Sequence, residues 1–147
     1  MSTLDSKNNE PGAYKPAKNL NNSGNKYTIL VVEDDEDILN LITRILESNN
    51  FNVHGFYQPE AALEHVRGGC KEGIMILSDV QMPMIGGPKL VEKIKQIRPE
   101  MKVMMMSSYS LNKADFGQLM PSTIVDDFIQ KPFNIQELIL KINSLCS

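Results

Sequence analysis

Short apolar runs and amphipathic segments alternate along the chain from Tyr27 onward. The short runs are rich in β-branched residues or methionine and are bounded by polar residues, Gly or Pro. Runs of this kind are typical of strands that are buried on both faces of a sheet. Together with the mixed segments 51–56 and 127–130, which are also expected to be strands, they predict five strands, over residues 28–32, 51–56, 74–79, 103–106 and 127–130.

The segments between these runs place apolar residues at every third or fourth position, which predicts helices with one buried face. Acidic residues 35–37 would occupy the start of the first helix, where the helix dipole favours anions, and 49–50 would end it. Pro59 and Pro88 suit the first turns of the second and third helices. Gly68-Gly69 and Pro99 would end these two helices.

Two further helices are predicted in the last third of the chain. One lies somewhere within 111–120, although Gly117 interrupts it and Pro121 follows it. The other begins after Asn134, which suits an N-cap because Glu137 follows three residues later. The methionine run at 104–106 is predicted to fill the core rather than to bind a metal.

Helical spacing also predicts which side chains face the sheet. The predicted inner faces comprise Ile38, Leu39, Leu41, Ile42, Ile45 and Leu46; Ala61, Ala62, Leu63 and Val66; Leu90, Val91, Ile94 and Ile97; and Ile135, Leu138, Ile139, Ile142 and Leu145.

This alternation of strands and helices predicts an α/β fold with a five-stranded parallel sheet and helices on both faces. Connections between parallel strands are right-handed in nearly all proteins. The expected strand order is 2-1-3-4-5, as in flavodoxin-like folds, where ligands bind outside the carboxyl ends of the strands.

Composition divides the chain near residue 27. A chain of 147 residues suits one domain. Residues 1–26 are rich in Asn, Lys, Ser, Pro and Gly, so we predict a disordered polar tail before a domain over 27–147. The four lysines of the tail leave a weak basic docking arm as the alternative.

Charge and cysteine usage exclude several classes of protein. The net charge is −3, and because residues 1–26 contribute +2, the domain carries −5, which disfavours direct nucleic-acid binding. No apolar run approaches the roughly 20 residues that cross a bilayer, and the N-terminus lacks a signal-peptide core. Cys70 and Cys146 lack zinc-site spacing. We therefore expect a cytoplasmic protein without membrane insertion.

Polar side chains follow four of the five predicted strands. Glu33 and Asp34 follow the first, Asp79 ends the third, Ser107 follows the fourth and Lys131 follows the fifth. Three carboxylates in one pocket repel each other unless a cation is present, and oxygen ligands are what Mg²⁺ prefers. A lysine and a divalent cation together stabilise a transferred phosphoryl group. The set therefore predicts an aspartyl phosphate on Asp79.

Taken singly, each of these residues has an ordinary structural role. Asp79 could be a turn residue, Glu33 and Asp34 could begin a helix, Ser107 could be any small residue at a strand end, and Lys131 could be a solvated charge. Their joint occurrence, in order and at successive strand ends, favours the phosphoryl site.

The domain resembles the receiver domain of response regulators in two-component phosphorelays, from Tyr27 to about Cys146. The motifs that carry the resemblance are Ile29-Leu30-Val31-Val32-Glu33-Asp34, Asp79-Val80-Gln81-Met82-Pro83-Met84-Ile85-Gly86-Gly87, Met106-Ser107-Ser108-Tyr109 and Asp127-Phe128-Ile129-Gln130-Lys131-Pro132-Phe133.

The resemblance implies a role for each residue of the acidic pocket. Glu33 and Asp34 form the pair that holds Mg²⁺, and Asp79 is the phosphoacceptor and a further ligand. The backbone carbonyl of Gln81 is implied as another metal ligand.

The resemblance also implies a switch. Ser107, which stands where Thr is commoner, would bind one phosphoryl oxygen, and Lys131 would pair with another. Phe128 matches the aromatic position that turns inward when the hydroxyl residue moves. The Lys131–Pro132 bond is expected to be cis.

By resemblance the protein is a stand-alone receiver that accepts a phosphoryl group from a histidine kinase or histidine phosphotransfer protein. It would assist its own phosphorylation and dephosphorylation without being a turnover enzyme, and would signal by docking to an unknown downstream protein. One alternative is a receiver-like interaction module that acts without phosphorylation. The other is a dehalogenase-type phosphatase, which needs a second Asp where this chain has Gln81.

Overall fold

The computed structural model describes residues 27–69, 72–80, 86–107 and 125–146. The described strands and helices follow the predicted order, and the helix predicted between the fourth and fifth strands lies outside the described ranges. The elements are β1 Tyr27–Val32, α1 Glu36–Ser48, β2 Phe51–Phe56, α2 Pro59–Arg67, β3 Gly73–Asp79, α3 Gly87–Ile97, β4 Lys102–Ser107, β5 Asp127–Gln130 and α4 Ile135–Cys146.

The five strands form one parallel sheet in the order β2-β1-β3-β4-β5, which confirms the predicted fold. Because the strands are parallel, their carboxyl ends meet at one edge of the sheet. In the register of the sheet, Val32 lies beside Ser78, Asp79 beside Met106, and Ser107 beside Gln130. The polar residues that follow these strands are therefore brought together.

Alternate residues of the strands point to opposite faces of the sheet, and each face has its own core. Ile29 and Val31 belong to the core that α1 and α4 cover. Leu30 and Val32 belong to the core that α2 and α3 cover. Burial on both faces explains why β1, β3 and β4 are mostly apolar, whereas β2 and β5, which end the described strand order, also carry polar residues.

Helix starts follow the predicted signals. The side chain of Asp35, the N-cap of α1, accepts hydrogen bonds from the Asp37 and Ile38 N–H groups. The Asn134 side chain accepts one from the Glu137 N–H at 2.6 Å before α4. The prolines predicted for the first turns of α2 and α3 lie there.

Three side chains that were predicted to face inward are exposed, and those predictions were wrong. Leu41 is 57% exposed, Ile97 41% and Ile135 51%. On α1 the buried face includes Thr43 instead of Leu41, and the Thr43 hydroxyl is satisfied by donating to the Leu39 carbonyl at 2.8 Å. Ile97 and Ile135 are the last residue of α3 and the first of α4, and side chains at helix ends extend past the sheet.

The methionines of β4 fill the core, as predicted. Met104 and Met106 lie in the core of α1 and α4, and Met105 lies in the other. The fully buried methionines are Met75, Met101, Met104, Met105 and Met106. The flexible, unbranched side chain of methionine suits the irregular space between a sheet and its helices.

Several predictions concern residues outside the described ranges. They are the polar tail over 1–26, the helix within 111–120, and the positions of Cys70, Gln81 and Ser108. Among the described residues, no helix has both the length and the apolar character needed to cross a bilayer.

Candidate functional site

The carboxyl edge of the sheet gathers side chains from four strand ends. Glu33 and Asp34 lie between β1 and α1, Asp79 ends β3, Ser107 ends β4, and Lys131 follows β5. These are the residues that the sequence predicted for one site.

Three carboxylates form the centre of this site. Glu33, Asp34 and Asp79 each offer an oxygen, and these oxygens all lie within 4.8 Å of one another. Glu33 is 1% exposed and Asp79 7%, whereas Asp34 is exposed. A cluster of carboxylates that is open on one side fits a hard divalent cation that keeps some of its water ligands.

Among the described residues, Lys131 is the cation that contacts this cluster. Its Nζ donates to Glu33 Oε1 at 2.7 Å and to Asp79 Oδ2 at 3.3 Å. One ammonium group against three carboxylates leaves the pocket with an excess of negative charge. The backbone of Lys131 is also fixed, because its N–H donates to the Ser107 carbonyl at 2.6 Å, and the Lys131–Pro132 bond is cis as expected.

Burial and charge change the acidity of two groups in the pocket. Burial raises the pKa of the Glu33 carboxyl to about 7, against the opposing effect of its hydrogen bond from Lys131. Burial alone would lower the pKa of the Lys131 ammonium. The hydrogen bond and charge of Glu33, with the charge of Asp79, outweigh burial and raise that pKa. Burial, with a smaller effect from the charge of Asp79, thus favours the protonated form of Glu33, and a bound cation would favour its carboxylate form.

The loop after β1 holds Glu33 in place. The Glu33 N–H donates to the Phe56 carbonyl at 3.0 Å, and the Asp35 N–H donates to Glu33 Oε2 at 3.1 Å. Asp35 itself caps α1. Adjacent acidic residues therefore have separate roles, since Glu33 and Asp34 join the cluster and Asp35 begins the helix.

The start of α3 packs directly on the backbone of Asp79. The Gly87 N–H donates to the Val80 carbonyl at 3.0 Å. A Cβ on Gly87 would lie 2.1 Å from the Asp79 carbonyl oxygen and 2.8 Å from the Met105 side chain. The preceding Gly86 has a φ of 75°. Sequence reasoning did not single out Gly87, although two consecutive glycines before Pro88 could have indicated a close approach.

Ser107 and Phe128 lie on neighbouring strands behind the cluster. Ser107 is 2% exposed at the end of β4. Phe128 pairs with Met105, two residues before Ser107. Its half-buried ring packs against the core that α2 and α3 cover. An aromatic side chain at the edge of that core can change its packing without a change of fold.

Glu33, Asp34, Asp79 and Lys131 are thus brought into one pocket, with Ser107 at the adjoining strand end. Phe128 lies outside the pocket, and Gln81 is outside the described residues. The arrangement can bind a divalent cation, present a carboxylate as a nucleophile, and place an ammonium and a hydroxyl close to it.

Comparison with known proteins gives a consistent result. The profile of the response regulator receiver domain family matches residues 29–143. The transcriptional regulatory protein CssR of Bacillus subtilis is 29% identical over 120 residues, which is 81% of this chain and 51% of that protein. A CheY-like receiver domain structure from Methanospirillum hungatei is 29% identical with a TM-score of 0.71, and the match covers 80% of this chain and 91% of that one.

The response regulator TrrA of Thermotoga maritima, solved in complex with Mg²⁺ and BeF, is 25% identical with a TM-score of 0.70. That match covers 82% of this chain and 99% of TrrA. The chain spans about half or less of the length of the first curated relatives that it matches.

Proposed function

The chain belongs to the family of response regulator receiver domains, and we propose that it accepts a phosphoryl group on Asp79. The observation that carries the proposal is the cluster of Glu33, Asp34 and Asp79 with Lys131 in contact at the end of β3. The donor would be a histidine kinase or a histidine phosphotransfer protein.

The proposed reaction transfers a phosphoryl group from the imidazole of a histidine to the carboxylate of Asp79. An Asp79 carboxylate oxygen attacks the phosphorus of a phosphohistidine, the new P–O bond forms, and the bond from phosphorus to the imidazole nitrogen breaks. Lys131 already lies 3.3 Å from Asp79 Oδ2, so its ammonium is placed to pair with a phosphoryl oxygen. The Ser107 hydroxyl, at the adjoining strand end, would donate to another.

Glu33, Asp34 and Asp79 would hold Mg²⁺, and the backbone carbonyl of Gln81 is proposed as a further ligand. The pocket favours such an ion because Glu33, Asp34 and Asp79 offer oxygens within 4.8 Å of one another, with Lys131 as the cation that contacts them in the described part of the chain. When bound, the ion neutralises charge on the phosphoryl oxygens. TrrA, a relative of the same fold, was solved with Mg²⁺ and BeF.

The output is proposed to pass through Ser107 and Phe128. A phosphoryl group adds roughly −1.5 to −2 charges and strong acceptor oxygens. Ser107 moves toward it, and Phe128 fills the space behind β4. An aromatic side chain with two packings is a bistable element that a local change of charge can bias. A downstream protein would then recognise the altered surface around β5.

The proposal is tested by incubating the protein with acetyl phosphate and Mg²⁺ and measuring the intact mass. We expect a gain of one phosphoryl group per chain. When EDTA removes the metal before acetyl phosphate is added, we expect no gain of mass. A chain that gains no phosphoryl group with Mg²⁺ would instead be an interaction module that acts without phosphorylation.

Removal of Asp34 should weaken Mg²⁺ binding far more than removal of Asp35. Both substitutions delete one exposed carboxylate, but only Asp34 belongs to the cluster. Asp35→Ala instead removes the N-cap of α1, which costs about 1 kcal/mol of stability. NMR titration with Mg²⁺ measures both affinities. Equal affinity in Asp34→Ala and wild type would refute the assignment of Asp34 as a ligand.

A further inference from the structure

Asp126, the residue before β5, binds β4 twice. Its backbone N–H donates to the Val103 carbonyl at 2.9 Å, and its Oδ2 accepts from the Val103 N–H at 2.8 Å. β5 has four residues, and in the described sheet it pairs with β4 alone. The Asp126 carboxylate therefore extends the short row of hydrogen bonds between β4 and β5, and it fixes the amino end of β5.

Lys95 of α3 binds the same carboxylate. Its Nζ lies 3.6 Å from Asp126 Oδ2, and the two side chains are 18% and 25% exposed. Charges that are shielded from water in this way interact more strongly than fully exposed pairs. The contacts of Asp126 with Val103 and Lys95 are referred to as the Asp126 clamp.

α3 connects this clamp to the backbone of the phosphoacceptor. At its start, Gly87 packs on the Asp79 carbonyl and donates to the Val80 carbonyl. Lys95 lies on the same helix, roughly 12 Å along its axis at 1.5 Å per residue. One rigid element thus contacts Asp79 at one end and β5 near the other.

The carboxyl end of β5 is held by the site. The Lys131 N–H donates to the Ser107 carbonyl, and the Lys131 side chain contacts Glu33 and Asp79. Phe128 lies between the two attached ends and packs against the core of α2 and α3. A strand that is held at both ends can respond to a change at one end by adjusting its middle.

We propose that the Asp126 clamp is the fixed end of β5, against which a phosphoryl-driven change at Ser107 and Lys131 becomes a change in the packing of Phe128. This inference rests on the proposed phosphoacceptor function and concerns its regulation. The bonds to Val103 join the amino end of β5 to β4, and the contact with Lys95 joins it to α3. Without the contact with Lys95, β4 and β5 can move together relative to α3, and less of the change at the site reaches the packing of Phe128. Asp126 and Lys95 are positioning residues, because neither touches the reacting atoms.

The chain offers a matched control on the opposite face of the sheet. Lys141 of α4 pairs with Asp127 at 3.3 Å, and these side chains are 29% and 23% exposed. Each pair joins an aspartate at or next to the amino end of β5 to a lysine on a covering helix. The Lys141 pair lacks both the bond to Val103 and the connection to α3. Asp127 Oδ1 also accepts a hydrogen bond from the Phe128 N–H at 2.8 Å, which makes this pair a stringent control.

The experiment compares Lys95→Met with Lys141→Met in the full chain, using NMR with beryllium fluoride and Mg²⁺ as a phosphoryl mimic. Val80 reports binding at the site, and Ile129 and the Phe128 ring report the response of β5. We expect a normal response at Val80 in both variants. The response of β5 should fall about twofold or more in Lys95→Met alone.

Two further variants separate the contacts of the clamp. Asp126→Asn keeps an acceptor for the Val103 N–H but loses the charge that pairs with Lys95, so it should behave as Lys95→Met does. Ser107→Ala should also lower the β5 response, but for a different reason: it removes the hydroxyl that would donate to the phosphoryl group. Dispersed amide spectra and an unchanged unfolding temperature show that Lys95→Met is folded.

The outcomes distinguish the inference from the function on which it rests. A normal Val80 response with an equal β5 response in wild type and Lys95→Met refutes the clamp and leaves the phosphoacceptor intact. An equal loss of the β5 response in Lys95→Met and Lys141→Met also refutes the clamp, because the response would then depend on either ion pair and not on the connection to α3. A wild type that shows no response at Val80 refutes the phosphoacceptor, and the clamp with it.

Discussion

Asp79→Asn is expected to abolish phosphoryl uptake and to leave the protein folded. The amide has nearly the same shape as the carboxylate but is not a nucleophile toward phosphorus. The substitution also removes one of three carboxylates that lie within 4.8 Å of one another. Repulsion in the pocket therefore falls. The unfolding temperature should stay the same or rise while labelling by acetyl phosphate falls to background.

Asp35→Asn is the matched control for this variant. Asp35 is exposed, and its side chain caps α1 instead of joining the cluster. Asparagine is also a good N-cap, so Asp35→Asn should be labelled as wild type is. If intact mass shows full labelling of Asp79→Asn, Asp79 is not the phosphoacceptor.

Gly87→Ala is expected to cause the largest loss of stability of any single methyl addition near the site. The new Cβ would lie 2.1 Å from the Asp79 carbonyl oxygen, which is backbone and cannot turn away as a flexible side chain can. Either α3 or the end of β3 must move. Overpacking of this kind costs about 1–3 kcal/mol, measured as a lower midpoint of urea unfolding.

Gly86→Ala separates a steric clash from backbone strain. Gly86 has a φ of 75°, and a Cβ there would meet nothing within 4 Å. Its cost should be that of a left-handed conformation alone, roughly 1 kcal/mol. Gly87→Ala should cost more and should also shift the NMR signals of Asp79 and Val80. A Gly87→Ala protein as stable as wild type would show that α3 does not pack so closely on β3.

Much of the fold follows from local sequence. The segments 51–56 and 127–130 coincide with β2 and β5, because short segments with apolar and aromatic residues between turn residues are typical of strands. Asn134 caps its helix as predicted, and Asp35 lies at the predicted helix start, where its side chain is also the N-cap. Capping depends on residues within one turn. The alternation of strands and helices predicts the parallel sheet, and the observed strand order is the one expected from the likeness to flavodoxin-like folds.

What the sequence did not predict depends on contacts between distant elements. The choice of Thr43 over Leu41 for the buried face of α1 depends on where the sheet lies under the helix. The bond from Asp126 to Val103 joins residues 23 positions apart. The carboxylate of Asp126 is indistinguishable, in sequence, from a solvated loop residue.

The residues of the site could be predicted from the sequence, but the distances between them could not. Parallel strands bring their ends together, so the grouping of Glu33, Asp34, Asp79 and Lys131 could be expected. The sequence did not show that Lys131 lies closer to Glu33 than to Asp79, at 2.7 Å against 3.3 Å. Nor did it show that Gly87 packs on the Asp79 carbonyl. Both are distances that only the packed protein defines.

The methionine-filled core has a consequence for oxidative damage. The sulfurs of Met104, Met105 and Met106 are shielded from peroxide as long as β4 is buried. An unfolded chain exposes all of them, and a sulfoxide is a polar group that no longer suits a core. A molecule that unfolds in the presence of an oxidant would therefore be trapped outside the native state. Burial in the folded state therefore protects these three methionines from oxidation.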